Sequence, residues 1–272
     1  MKKILFICVS YNNSYYTEKF VNSLLLQSGI DVEFTVKTLV VDNSTSREDI
    51  EYSFDFGDKY KAIFECIRPK ENIGYFGGLN YGLAHSDVKQ YDFVIIGNND
   101  LEFDSKFCLN LLKKTIDPNT FSIVPEVITA DGVQQNPHVI KPISMRKRFE
   151  YDIFYSHWLV AKCLYFIKYN LLNLSKKQPF IKYKPQTIHM GIGAIYILTK
   201  NFFKSYNQLE FPLFLYGEEA FFSHQIHKVA GVIMFEPDLI VHHAESAATS
   251  KLPKRQVYEY SRKGYPLYRN YL

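Results

Sequence analysis

The sequence predicts an α/β fold with a mostly parallel central sheet flanked by helices, and three observations carry that expectation. Apolar, β-branched runs at Ile4–Val9, Val36–Val41, Ala62–Arg68 and Phe93–Gly97 read as buried strands. Between them lie segments with apolar residues at helical spacing, such as Phe20, Val21, Leu24 and Leu25 within Tyr15–Gln27. The chain has 272 residues, 47 % of them hydrophobic, enough to bury one large α/β domain.

The elements follow in order. Met1-Lys2-Lys3 passes straight into Ile4–Val9, an apolar run too short for a signal-peptide core and without a cleavage site, so it reads as the first strand. Gly29 stops the first helix, and Asp117-Pro118 ends a second amphipathic segment marked by Phe107, Leu111 and Leu112. From Asp131 to Pro185 the character changes to prolines, a basic cluster at Arg146-Lys147-Arg148 and an aromatic stretch at Tyr151–Leu174. The charges of His157, Lys162 and Lys168 argue against a membrane span there. A helix in a membrane interface, one packed on the domain and one packed against a second subunit all fit this stretch. Regular structure resumes with Ile188–Leu198, a helix from Lys200 to Tyr206, and a helix carrying Phe222, Ile226, Val229 and Ala230 that Gly231 closes before a strand at Val232–Phe235. The net charge of +4 gathers in Lys141–Arg148 and in the tail from Lys251 through Arg269, patches that suit nucleic acid, an anionic membrane surface or a phosphate-bearing ligand. Cys8, Cys66, Cys108 and Cys163 are widely scattered and read as buried, reduced thiols of a cytosolic protein.

Chemistry is expected at strand ends. Phe93–Ile96 leads into Gly97-Asn98-Asn99-Asp100, and Leu39-Val40-Val41 into Asp42-Asn43-Ser44, so two strands offer carboxylates to one crevice. An aspartate there is also a common turn former; the repetition favours function. Asn72-Ile73-Gly74-Tyr75-Phe76-Gly77-Gly78-Leu79-Asn80-Tyr81-Gly82 opens a helix, where glycines bring backbone close to a ligand and the helix start favours anions. Its spacing is not that of a dinucleotide fingerprint. Glu218 and Glu219 begin a helix whose dipole is expected to keep a glutamate ionised, the form a general base needs. His242-His243 follow Leu239-Ile240-Val241, and alternation lets one of them face the cleft as a metal or phosphate contact.

In this order and rough spacing, Val9-Ser10-Tyr11-Asn12, Val40-Val41-Asp42-Asn43-Ser44, the Asn72–Asn80 turn, Asn98-Asn99-Asp100, Gly193-Ala194, Tyr216-Gly217-Glu218-Glu219 and His243 resemble the motifs of the inverting family 2 glycosyltransferases, rhamnosyltransferase-like members in particular. The resemblance implies a GT-A nucleotide-sugar-binding domain over residues 1–245, a variable insertion at about 131–185 and a basic aromatic tail at 246–272. It implies that Ser10, Tyr11 and Asn12 line the nucleoside pocket and that Asp42 holds the base or ribose. Asn72, Gly74, Gly77, Gly78, Asn80, Asn98 and Asn99 would complete the donor site. Asn98-Asn99-Asp100 stands where the family carries DxD, leaving Asp100 as the carboxylate for Mg²⁺ or Mn²⁺, with His243 beside the diphosphate. Glu219 aligns with the base, with Glu218 second. Phe221 stands where many relatives carry a further acid.

The activity so implied is transfer of a sugar from a nucleotide-sugar donor, dTDP-rhamnose or a UDP-hexose, to a hydroxyl of a glycan or lipid-linked acceptor in cell-surface polysaccharide synthesis. The expected partners are that donor and acceptor, with no nucleic acid, at a cytoplasmic site with peripheral membrane contact through the basic tail, where Arg262 resembles a tail-motif arginine. A homodimer stays open. Two other readings share these residues. A nucleotidyltransferase would need a basic, glycine-rich loop where Ser10-Tyr11-Asn12-Asn13 stands. A non-catalytic relative that binds nucleotide-sugar or glycan is kept open by Asn98, Asn99 and Phe221.

Overall fold

The computed structural model describes residues 1–52, 60, 62–167, 180–244 and 254–272. Of the segments named above, residues 168–179 of the expected insertion and 246–253 of the expected tail lie outside these. The strands are β1 (Lys2–Ser10), β2 (Phe34–Asp42), β3 (Phe64–Ile67), β4 (Phe93–Asn98), β5 (Leu101–Phe103), β6 (Thr120–Thr129), β7 (Gln186–Ile188), β8 (Ile195–Leu198) and β9 (Val232–His243). They form one sheet in the order β3-β2-β1-β4-β8-β6-β9-β5, with β7 also paired to β9. The half built from βαβ repeats, β3-β2-β1-β4, is parallel throughout. In the other half only β6 and β9 run parallel, while β8, β5 and β7 pair antiparallel.

Burial on both faces explains the unbroken apolar runs. Along β1, Ile4, Phe6 and Cys8 point to one face and Leu5, Ile7 and Val9 to the other. The first face is covered by α1 (Ser14–Leu25) through Phe20, Val21 and Leu24 and by α3 (Phe107–Leu112) through Phe107 and Leu111. Each such side chain contributes roughly 1.5–3 kcal/mol by leaving water. The second face is covered by α2 (Tyr75–Ala84) through Phe76, Leu79 and Leu83 and by α7 (Glu218–His227) through Phe222 and Ile226.

Several expectations change. Ile188–Leu198 is two strands, β7 and β8, split around Gly191-Ile192-Gly193. Val232–Phe235 and Leu239–Val241 join into β9, whose register against β6 jumps from Pro125–Glu236 to Glu126–Ile240 and so accommodates Pro237, which has no N–H to give. Between β8 and α7 lies only the short α6 (Phe202–Ser205). The segment expected to be an insertion holds α4 (Met145–Ser156) and α5 (Trp158–Phe166), and the expected tail holds a docked helix, α8 (Lys254–Tyr268). Its Tyr258, Tyr265 and Tyr268 are buried. The Tyr265 hydroxyl and the Arg269 guanidinium both reach Asp152 of α4, and Arg262 Nε donates to Tyr155 O, so that arginine is committed to the fold. Of the cysteines Cys8 and Cys108 are buried and Cys66 partly so, but Cys163 is exposed on α5 because it faces away from the buried Ala161. Among the described residues no helix is long and apolar enough to cross a membrane.

Candidate active site

Parallel pairing sets Ser10 opposite Asp42 and Val9 opposite Asn98, so β1, β2 and β4 end along one edge of the sheet. Asp42 is 2 % exposed, and its carboxylate accepts the Ser44 N–H at 2.9 Å and the Arg68 guanidinium at 2.8 Å. Arg68 also donates to Ser44 O, bracing the β2 end. Ser10 and Asn99 are buried beneath this edge, where the Asn99 amide nitrogen donates to Ser10 Oγ, Asn13 Oδ1 and Thr17 Oγ1. They hold β4 to the start of α1. Asn12, at φ 51°, accepts the N–H groups of Thr45 and Ser46 and ties the β1 and β2 loops together, with Tyr11 N–H turned to Asn13 Oδ1.

The glycine turn lies beside this edge. Gly74 has φ 76°, and a Cβ there would stand 2.4 Å from Phe214 O, so only glycine fits. Asn72 Oδ1 accepts the Gly74 N–H and Asn43 Nδ2 donates to Gly74 O, which fixes the turn from both sides. Gly77 follows in the first turn of α2, and Gly78 and Gly82 serve packing: a Cβ at either would come within 2.8 Å of Val9 or 2.5 Å of Ile7. Asn80 is not turned to a ligand, because its amide exchanges both hydrogen bonds with the backbone of Leu209.

At the end of β4, Asp100 is 6 % exposed and its Oδ1 accepts no hydrogen bond. His243 Nε2 faces that oxygen at 3.3 Å, and Asn98 Nδ2 lies 3.5 Å from the same nitrogen. Gln135 Oε1 sits 2.7 Å from His243 Nδ1 and orients the ring with Nε2 toward Asp100. An imidazole nitrogen and a carboxylate oxygen thus stand side by side, the two donor types that a divalent ion such as Mn²⁺ takes. Asp100 and His243 offer a divalent ion two ligands, and among the described residues no group of three or more His, Cys, Asp or Glu gathers to hold one, here or elsewhere.

Glu218 and Glu219 open α7 as expected, but their environments differ. Glu218 is buried, with Oε1 accepting the Tyr216 N–H at 2.9 Å. Burial and the charge of Glu219 push its carboxyl up to about 8, so the helix start does not keep Glu218 ionised. Glu219 is partly exposed, and its Oε1 accepts the Gly193 N–H at 3.1 Å. The Tyr75 hydroxyl donates to Gly193 O at 2.7 Å, and burial with the charges of Glu218, Glu219 and Asp100 raises it well above an ordinary phenol. One side chain at the start of α2 therefore stands within the field of the acids from β4 and from α7.

With this geometry in place, the sequence profile of glycosyl transferase family 2 matches residues 6–189. The chain belongs to glycosyl transferase family 2. None of the curated proteins matches its sequence. Among solved structures, GalNAc-T7 with UDP, GalNAc and Mn²⁺ is 15 % identical at a TM-score of 0.60, covering 89 % of this chain and 44 % of that one. S. aureus TarS is 16 % identical at 0.56, covering 90 % and 37 %. The mannosyltransferase PcManGT from Pyrobaculum calidifontis, in complex with GDP-Man and Mn²⁺, is 14 % identical at 0.55, covering 90 % and 58 %. At these identities the likeness shows the GT-A fold, and the family 2 chain spans from 37 % to 58 % of the length of these three structures.

The structure brings Asp42, Gly74, Asn98, Asp100, Glu218, Glu219 and His243 to one side of the family 2 sheet. Three contributors were not read from sequence: Arg68, Gln135 and the Tyr75 hydroxyl. Arg68 had a signal, since Val41 pairs with Ile67 and both Asp42 and Arg68 come one residue later. Gln135 and Tyr75 act across loops that no local pattern joins.

Proposed function

We propose that this chain is an inverting glycosyltransferase that moves a sugar from a nucleoside-diphosphate donor, dTDP-rhamnose or a UDP-hexose, to a hydroxyl of a glycan or lipid-linked acceptor in cell-surface polysaccharide synthesis on the cytoplasmic side of the membrane. The observation that carries the reading is Tyr75, bonded to Gly193, within reach of the charges of both Asp100, whose Oδ1 accepts no hydrogen bond and faces His243, and Glu219, which accepts the Gly193 N–H. Similar folds that hold UDP with Mn²⁺ and GDP-Man with Mn²⁺ support the donor class.

Asp100 and His243 would hold Mg²⁺ or Mn²⁺, which when bound neutralises charge on a departing diphosphate. Arg68 fixes Asp42 so that the nucleoside pocket is built before the donor enters. Gly193 holds one oxygen of Glu219, leaving the other to accept the proton of the acceptor hydroxyl. That hydroxyl oxygen attacks the anomeric carbon on the face opposite the leaving nucleotide, so configuration inverts in one displacement. Burial favours the protonated form of Glu218, which makes it the poorer base of the two.

The test is release of nucleoside diphosphate from a panel of dTDP- and UDP-sugars, with product anomeric configuration read by NMR. Glu219→Gln should lose about 10²–10⁴-fold in rate, while Glu218→Gln keeps most of it. A Glu219→Gln protein of undiminished rate would overturn the base, a retained anomer the inversion, and a folded wild type that turns over no donor the whole reading.

A further inference from the structure

The insertion carries an apolar surface turned outward. On α4, Met145, Phe149 and Ile153 recur every fourth residue and are 73 %, 63 % and 40 % exposed, and no residue of that helix is buried. On α5, Leu159 at 60 % and Phe166 at 58 % lie with Lys162 on the face opposite Ala161, which is 2 % exposed. Both helices thus show solvent the kind of side chain that an amphipathic helix ordinarily buries.

Another face of α4 is already used. Tyr151 and Tyr155 pack in the aromatic cluster around Tyr265 and Tyr268, Arg148 donates to Leu272 O, and Asp152 pairs with Arg269. Arg262 and Arg269 of the tail are therefore spent on holding this segment in place, and the apolar stripe is presented by a braced helix. Its surroundings are cationic: Arg146 and Lys147 share the single carboxylate Glu150, which leaves positive charge beside Met145 and Phe149.

We infer that the outward face of α4 and α5 docks on an anionic lipid bilayer, the apolar side chains entering the interface and Arg146, Lys147 and Lys162 meeting headgroup phosphates. Charge selects this occupant over a second copy of the chain, since an isologous contact would set the same cations against each other, whereas anionic headgroups complement them. No described helix is long enough to span, so the contact is peripheral. This surface stands apart from the transferase reading, and its test needs no donor.

The full chain is floated with vesicles of phosphatidylcholine alone and of phosphatidylcholine with one third phosphatidylglycerol. Wild type should float with the anionic vesicles, less so as salt rises. The double variant Phe149→Ser, Leu159→Ser should partition about tenfold less or weaker still, and Arg146→Glu, Lys162→Glu should do the same. All four positions are exposed, so unchanged thermal midpoints confirm the folded state. Failure of the wild type to float with anionic vesicles, equal flotation of the variants, or loss of a dimer on light scattering with flotation unchanged would each overturn the inference.

Discussion

Glu218→Gln should make the protein more stable in alkali than the wild type while changing little in acid. In the folded chain burial and the charge of Glu219 hold the Glu218 carboxyl near 8, against 4.5 for an ordinary glutamate. Below the ordinary value both folded and unfolded chains carry the proton, and Glu218 costs nothing. As pH rises through 4.5 the unfolded chain releases its proton while the folded chain keeps it, so stability falls until the folded carboxyl also ionises near 8, and stays low above that. One pKa unit is about 1.4 kcal/mol, and because the shift belongs partly to the pair with Glu219, the loss assigned to Glu218 is on the order of 3 kcal/mol. Glutamine keeps an acceptor for the Tyr216 N–H and has no proton to release. At roughly 2 °C per kcal/mol for a chain of this size, its melting temperature should match wild type at about pH 3.5, below the ordinary glutamate value, and exceed it by roughly 6 °C at about pH 8.5. Scanning fluorimetry across this range measures the gap. A gap that is the same at both ends would refute the buried, proton-holding Glu218.

Two further substitutions probe the donor side. Gly74→Ala forces a side chain into a left-handed residue and against Phe214 O, which should cost about 3 kcal/mol in urea unfolding and loosen the turn; stability equal to wild type would contradict the placement of that loop. Arg68→Ala leaves the buried Asp42 carboxylate without its cation, and since Arg68 is about one-third exposed the loss should be on the order of 2 kcal/mol, with Arg68→Lys recovering part of it. Nucleotide affinity unchanged in Arg68→Ala would show that Asp42 does not need this brace.

Much of the first half was legible because its strands are buried on both faces and its helices begin at glycine or polar turns. Ile4–Val9 and Val36–Val41 lie inside β1 and β2, and Phe93–Gly97 inside β4. β6 escaped, since Pro125 and Glu126 interrupt Thr120–Thr129 where a central strand is expected to be apolar; the irregular register against β9 is what accommodates them. α8 escaped for a different reason. It contains Gly264 and Pro266 and builds its buried face from tyrosines whose hydroxyls find partners across the chain.

The site divides the same way. Carboxylates at strand ends and the glutamate pair at a helix start are local patterns, and the structure gathers them. The division of labour within the pair was not local, because the buried Glu218 lies within electrostatic reach of Tyr75, Tyr196 and Tyr268, residues far from it in sequence. Tyr268 lies so close to Gly217, at φ 103°, that any Cβ there would strike its ring. The start of α7 is thereby fitted to α8, a relation between residues far apart in sequence. Ser10, Asn80 and Asn99 show the converse: polar residues within ligand-like motifs that the fold uses as struts.

The measurement that bears most directly on the account is a thermal-shift panel of UDP, dTDP, GDP and CMP, each with Mn²⁺, Mg²⁺ or EDTA, on wild type, Asp42→Ala and Asp100→Ala. A ligand that binds only the folded chain must raise its melting temperature, by about 2.7 kcal/mol in stability at a hundredfold excess over Kd. The account predicts a shift with UDP or dTDP that disappears in Asp42→Ala, and a metal-dependent part that disappears in EDTA and in Asp100→Ala. No shift with any nucleotide in a folded sample, or a metal-dependent shift intact in Asp100→Ala, would contradict it.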